Sequence, residues 1–132
     1  MKSMMVRKAA IRAFTLIEVL VVLTIIATLL SLVTPRYFET VTRSKETSLK
    51  HDLAIMRDSI DKFYSDTGVY PETIEELIER KYLKAMPVDP ITESPATWII
   101  SPPVDPYQRG NVYDVHSGSE DIATDGSNYA DW

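Results

Sequence analysis

Residues 14–33 read FTLIEVLVVLTIIATLLSLV, twenty residues in which Glu18 is the single charge. At ~1.5 Å per residue an apolar helix of about 20 residues spans the roughly 30 Å hydrocarbon layer, so the stretch predicts a transmembrane helix. Its β-branched residues are no obstacle, because lipid offers the backbone no partner and forces it to bond internally. Upstream, residues 1–13 hold four bases, Lys2, Arg7, Lys8 and Arg12, and no acid; the rest of the 132-residue chain carries ten bases against 19 acids. Bases before the span and an acidic body after it put the N-terminus in the cytoplasm and the body outside. The acidic body repels phosphate backbones, which argues against nucleic-acid recognition.

An ordinary signal peptide also opens on bases and an apolar run, but its core is about 7–15 residues and it ends in small residues at a cleavage site. Here Thr34-Pro35-Arg36-Tyr37 follows. A plain single-pass anchor fits the length and leaves Glu18 unexplained. A carboxylate at the centre of a membrane helix costs about 2.5–3.5 kcal/mol on insertion scales unless it is protonated or paired. Glu18 lies four residues after Phe14. A cut before Phe14 would expose an α-amino group able to neutralise the carboxylate of a neighbouring copy.

The segment RAFTLIEVLVVLTIIATLLSLVTPRY, residues 12–37, resembles the N-terminus of the type IV pilin and pseudopilin superfamily. The resemblance implies that a prepilin peptidase removes residues 1–13 as a leader, between Ala13 and Phe14, and that the new N-terminal Phe14 is methylated. It sets Glu18 at the family's fifth mature position and Pro35 at its helix-bending proline, the twenty-second. Where the family usually has glycine before the cut, this chain has Ala13.

Residues 35–66 continue as the amphipathic half of a long helix: Val41, Leu49, Leu53, Met56, Ile60 and Phe63 form a stripe whose later spacings of 4, 3, 4 and 3 match the helical period, with charges on the other faces. Pro35 reads as a kink rather than a stop, with Ser31 nearby to help the backbone groups it frees. From Phe14 to about Asp66 such a helix is roughly 80 Å long. Gly68 is a C-terminal cap candidate, and Pro71 opens the next element. Thr73 with Glu76 makes a capping-box pattern ahead of Ile74, Leu77 and Ile78, a short helix ending near Arg80-Lys81. Six prolines, Pro87, Pro90, Pro95, Pro102, Pro103 and Pro106, exclude helix from the next stretch. Thr97–Ile100 and Asn111–Val115 are the strand candidates. The expected fold is α+β: a long N-terminal helix, transmembrane over 14–34, packed through its second half on a small antiparallel sheet within a globular domain, 67–132.

No Ser-His-Asp order, paired-carboxylate motif, HExxH or phosphate loop occurs, and the four glycines stand in no nucleotide-binding pattern. The absence of cysteine removes disulfides, thiolate zinc sites and thiol nucleophiles. His51 and His116 read as surface residues, and Trp98 with the tyrosines of the second half as small-domain core. Residues 114–132 hold Asp114, Glu120, Asp121, Asp125 and Asp131 with no Lys or Arg. Such oxygen density suits Ca²⁺, while the Asp125-Gly126 turn and a solvated acidic tail are the plainer alternative.

The TGVYP turn, the LIERKYL stretch, the MPVDP loop and the terminal VYDVHSGSEDIATDGSNYADW are similar to the periplasmic domain of major pseudopilins of type II secretion systems, a subfamily without the disulfide loop of many type IV pilins. That similarity implies a calcium-holding C-terminal loop with ligands near Ser117, through its carbonyl, Glu120, Asp125 and Asp131, and Asp121 as substitute. Glu120 stands where the subfamily usually has aspartate. It further implies a structural subunit, not an enzyme, that is stored in the bacterial inner membrane and drawn into a self-polymerised periplasmic filament driving protein export. Its partners would be the prepilin peptidase, an inner-membrane assembly platform with a cytoplasmic ATPase, and minor pseudopilins. Two other readings stand beside it: a type IV or competence pilin serving adhesion, motility or DNA uptake, and a membrane-anchored periplasmic enzyme or binding protein, for which Glu18 has no purpose.

Overall fold

The computed structural model describes residues 13–132; of the expected leader, residues 1–12 lie outside the described residues. One helix, α1 (Leu16–Thr67), takes 52 residues and runs through Pro35. The chain divides into two compact units, the first ending at Phe38 and the second covering Glu39–Trp132.

In the first unit every described residue is exposed. An 18-residue window of α1 there reaches a mean hydropathy of 2.7 with none of it buried, so it is long and apolar enough to cross a membrane. Its hydroxyls need no outside partner. Thr24, Thr28 and Thr34 donate to the carbonyls of Leu20, Thr24 and Leu30 at 2.6–2.8 Å, and Ser31 donates to Thr28. Each is satisfied within the helix, as a lipid-facing side chain requires.

In the second unit α1 supplies the core. Leu49, Leu53, Met56, Ile60 and Phe63 are all buried. Val41 is half-buried, and the stripe position between it and Leu49 is taken by a buried acid, Glu46. The helix ends as its sequence predicts: Gly68, at φ 76°, donates its N–H to the Tyr64 carbonyl. Thr73 then caps α2 (Ile74–Glu79), its hydroxyl accepting from Glu76 N–H at 3.2 Å. The return bond from Glu76 accepts the N–H of Glu72 rather than that of the cap. Ile74 and Leu77 bury themselves against the α1 stripe in one core with Leu83, Trp98, Val112, Val115 and Tyr129.

The sheet has two antiparallel strands, β1 (Ile99–Ser101) and β2 (Asp114–His116), with Ile100 opposite Val115. Both lie one to three residues later than their β-branched runs suggest, because strands this short are placed by tertiary pairing rather than propensity. The prolines leave the rest as turns. Trp98 is nearly buried and its indole N–H donates to the Pro87 carbonyl at 2.8 Å, tying the proline-rich stretch to the core. Asp89, fully buried, accepts from Ile91 N–H and from the Ser117 hydroxyl.

Gly118 allows the chain beyond β2 to pass against the Thr97 backbone: a Cβ there would sit 2.0 Å from the Thr97 carbonyl oxygen. Gly118→Ala is therefore expected to destabilise the domain by about 1–3 kcal/mol, read as a lower thermal midpoint of the full chain in detergent micelles. Gly126, which is also a loop glycine but has nothing within 4 Å of its position, serves as the comparison site for strain without a clash.

Candidate functional site

Two sites emerge, one in each unit. The first is the head of α1. Thr15 precedes the first helical residue, and its hydroxyl accepts the N–H of Glu18 at 3.2 Å. Its carbonyl opens the helical ladder by accepting from Val19 N–H. Thr15 is thus an N-cap, and Glu18 lies in the first turn, where the unpaired N–H groups of the helix favour an anion. The pattern Thr15-x-x-Glu18 is the same capping signature as Thr73-x-x-Glu76 and is legible in the sequence.

A helix end stabilises a nearby carboxylate by about 0.3–1 kcal/mol, up to ~2 when partly buried. Insertion scales put about 2.5–3.5 kcal/mol on an acid at the centre of a span; Glu18 lies in the first turn, nearer the end, where the cost is smaller and the cap offsets part of it. Phe14 and Glu18, with Val19, Val22 and Leu23, line an apolar recess of about 230 Å³. Phe14 is itself 75% exposed and precedes the helix. The arrangement presents one carboxylate at the rim of an otherwise hydrocarbon face. Ala13 is exposed at the start of the described residues; Pro35 sits inside α1.

The second site is where the C-terminal segment meets the second half of α1. Glu46 Oε1 accepts from Thr124 N–H and from the Tyr129 hydroxyl, both at 2.8 Å, and Oε2 accepts from the Thr124 hydroxyl at 2.7 Å. Burial alone would push this carboxyl upward; the three bonds to its ionised form outweigh that and hold it below its ordinary value of 4.5. Tyr129 is pushed up to about 12 by its burial and by that bond to Glu46, so it stays a donor. Further along α1, Arg57 donates through Nε to Asp114 Oδ1 at 2.8 Å and through Nη2 to the main-chain oxygens of Val115 and Trp132. Lys50 lies over the Trp132 ring at 4.6 Å from its centroid.

The calcium ligands expected of this segment are the carbonyl of Ser117 and the carboxylates of Glu120, Asp125 and Asp131. Ser117 is fully buried and its hydroxyl is spent on Asp89. Asp125 Oδ1 accepts from the backbone and hydroxyl of Ser127, closing its own turn at Gly126. Asp131, on a single 3₁₀ turn (Tyr129–Asp131), takes the Asn128 amide at 3.4 Å, and Glu120 and Asp121 are exposed. Among the described residues no three His, Asp or Glu side chains gather where one metal ion could be held. The acids of this segment are close in sequence, and its turns set Asp125 and Asp131 apart.

The charged residues that do organise the segment, Glu46 and Arg57, lie 57 to 83 positions away from their partners in sequence. The only early signal for Glu46 was its fit to the helical stripe, three residues before Leu49, where an acid should not be. His51 is exposed on α1; His116 lies on β2 with Nε2 3.5 Å from Asp114 Oδ2 and Nδ1 buried without a hydrogen-bond partner.

Residues 8–34 match the family described as the prokaryotic N-terminal methylation motif. The chain is also similar to the type II secretion system core protein G of Pseudomonas aeruginosa, 32% identical over 93 residues, covering 58% of this chain and 66% of that protein. Against the core protein G of Escherichia coli it is 30% identical over 95 residues, covering 60% of this chain and 66% of the relative. The chain thus spans just under two-thirds of the length of these relatives. No solved structure matches it significantly.

The lowered Glu46 carboxyl sets a pH dependence. A group whose folded value is depressed contributes stability above its unfolded value and loses it as pH falls through the folded one. The thermal midpoint of the wild-type chain should therefore exceed that of Glu46→Gln by a constant margin above about pH 5.5, and the margin should shrink as pH drops below about 4.5. Asp125, also held low by Ser127, repels Glu46, and Tyr129 is raised by Glu46, so the difference between the two chains reports Glu46 together with its coupling to these neighbours.

Proposed function

We propose that this chain, a pilin-superfamily protein by its N-terminal methylation motif, its long apolar helix and its likeness to two core proteins G, is the structural subunit of a periplasmic filament serving type II protein secretion. The observation that carries the reading is the head of α1: an apolar face with one carboxylate, Glu18, four residues after Phe14, inside the span that matches the methylation motif.

A prepilin peptidase acting on the cytoplasmic side cuts between Ala13 and Phe14, and the new Phe14 amine is methylated. Until then the chain rests in the inner membrane, held by the apolar half of α1. After the cut, the amine of one copy meets Glu18 of the next. An amine–carboxylate pair in a low-dielectric surround supplies the stabilisation that the N-cap leaves wanting. The contact joins two different surfaces and so does not close on itself; repeated, it generates a helical fibre. Lipid-facing side chains of 14–34 exchange hydrocarbon for sister helices, an exchange that packing and the Glu18 contact decide rather than any hydrophobic gain. Minor pseudopilins and an inner-membrane platform start and drive the growth. No step of this reading is catalytic, in keeping with a chain that carries no catalytic motif.

Glu18→Ala tests it in cells that carry the chain with its secretion system. Leader removal should persist, because the peptidase acts upstream, while filaments disappear and export falls to near background. Filaments of normal abundance built from the Glu18→Ala chain would overturn the pairing contact and with it this assembly mechanism.

A further inference from the structure

The C-terminal segment presents protons, not lone pairs, to the buried acid of α1. Glu46 is only 9% exposed and occupies a core position of the stripe, a location that destabilises a carboxylate unless its oxygens are hydrogen-bonded. All three donors that satisfy it, the Thr124 N–H, the Thr124 hydroxyl and the Tyr129 hydroxyl, come from residues 124–129. Seen from the segment, α1 contributes the anion. Three turns further on, α1 contributes the cation: the Arg57 guanidinium collects one carboxylate, that of Asp114, and the main-chain oxygens of Val115 and Trp132. Carboxylate plus carbonyl oxygens is the donor set a hard divalent ion would seek, and here a fixed guanidinium has taken it. Between them Lys50 seats the Trp132 ring, whose indole N–H reaches back to Ser127 at 2.7 Å. The remaining acids are turned to local tasks or to solvent, and no three His, Asp or Glu side chains gather around one point among the described residues.

We propose that the C-terminal segment of this chain is closed onto α1 by the helix's own Glu46 and Arg57, and that this closure takes no divalent cation. Glu46 and Arg57 are positioning residues: they set where 120–132 lies and leave its exposed side chains free for contact with other molecules. The inference stands on the second unit alone and does not depend on the filament reading.

The test is thermal unfolding of the full chain in detergent micelles, in calcium chloride and in EGTA, for the wild type, Glu46→Gln and Tyr129→Phe. Wild-type midpoints should coincide in the two solutions. Glu46→Gln should lower the midpoint by about 5 °C or more and Tyr129→Phe by a smaller amount, with calcium restoring neither. Backbone hydrogen exchange supplies the second readout: the Thr124 amide should be protected in EGTA and exchange at least ~10-fold faster in Tyr129→Phe, even if Glu46→Gln fails to fold. A wild-type midpoint or Thr124 protection that rises with calcium overturns the proposal. So does a Tyr129→Phe chain that keeps both its midpoint and its Thr124 protection.

Discussion

The constraint on which the molecule turns is the placement of one carboxylate, Glu18, at the head of a helix otherwise built for hydrocarbon. Every other polar side chain along that run is a hydroxyl bonded to its own helix, which makes it neutral toward lipid. Glu18 cannot be satisfied that way. The Thr15 cap and the first-turn N–H groups offset a fraction of its cost. On the reading proposed above, processing at Ala13–Phe14 creates a cation for it on another copy, so a local electrostatic deficit becomes a rule for joining subunits.

The same helix meets the same problem a second time with the opposite solution. Glu46 also interrupts an apolar stripe, yet its partners lie within the chain, in the segment that ends at Trp132. Here desolvation is outweighed by three hydrogen bonds, so the acid stays ionised and pins a loop that has little regular structure of its own. The sheet is only two three-residue strands, too little to order the domain alone. The α1 stripe, α2 and the Glu46 and Arg57 contacts carry that burden, with Asp89 and Ser117 joining the proline-rich stretch to the chain beyond β2.

Features governed by short-range rules were legible in the residues. The apolar span, the stripe from Leu49 to Phe63, the stop at Gly68 and the Thr73 cap each follow from period or capping chemistry, and the structure has all four. What sequence reading missed depends on contacts far apart in the chain. Glu46 falls on the apolar stripe with no local partner to explain it, because its donors lie 78 and 83 residues away. The acids after Asp114 are neighbours in sequence, and Asp125 and Asp131 each bond within a turn of their own. The strands shifted because pairing and the close approach of Gly118 to Thr97 decide their register.

The central claim is that Glu18 is matched by an amine that exists only after proteolysis. Mass spectrometry of the chain recovered from its native membrane measures this directly. The account predicts an N-terminal peptide beginning at Phe14 and heavier by one methyl group. A functional population that retains residues 1–13 would contradict it.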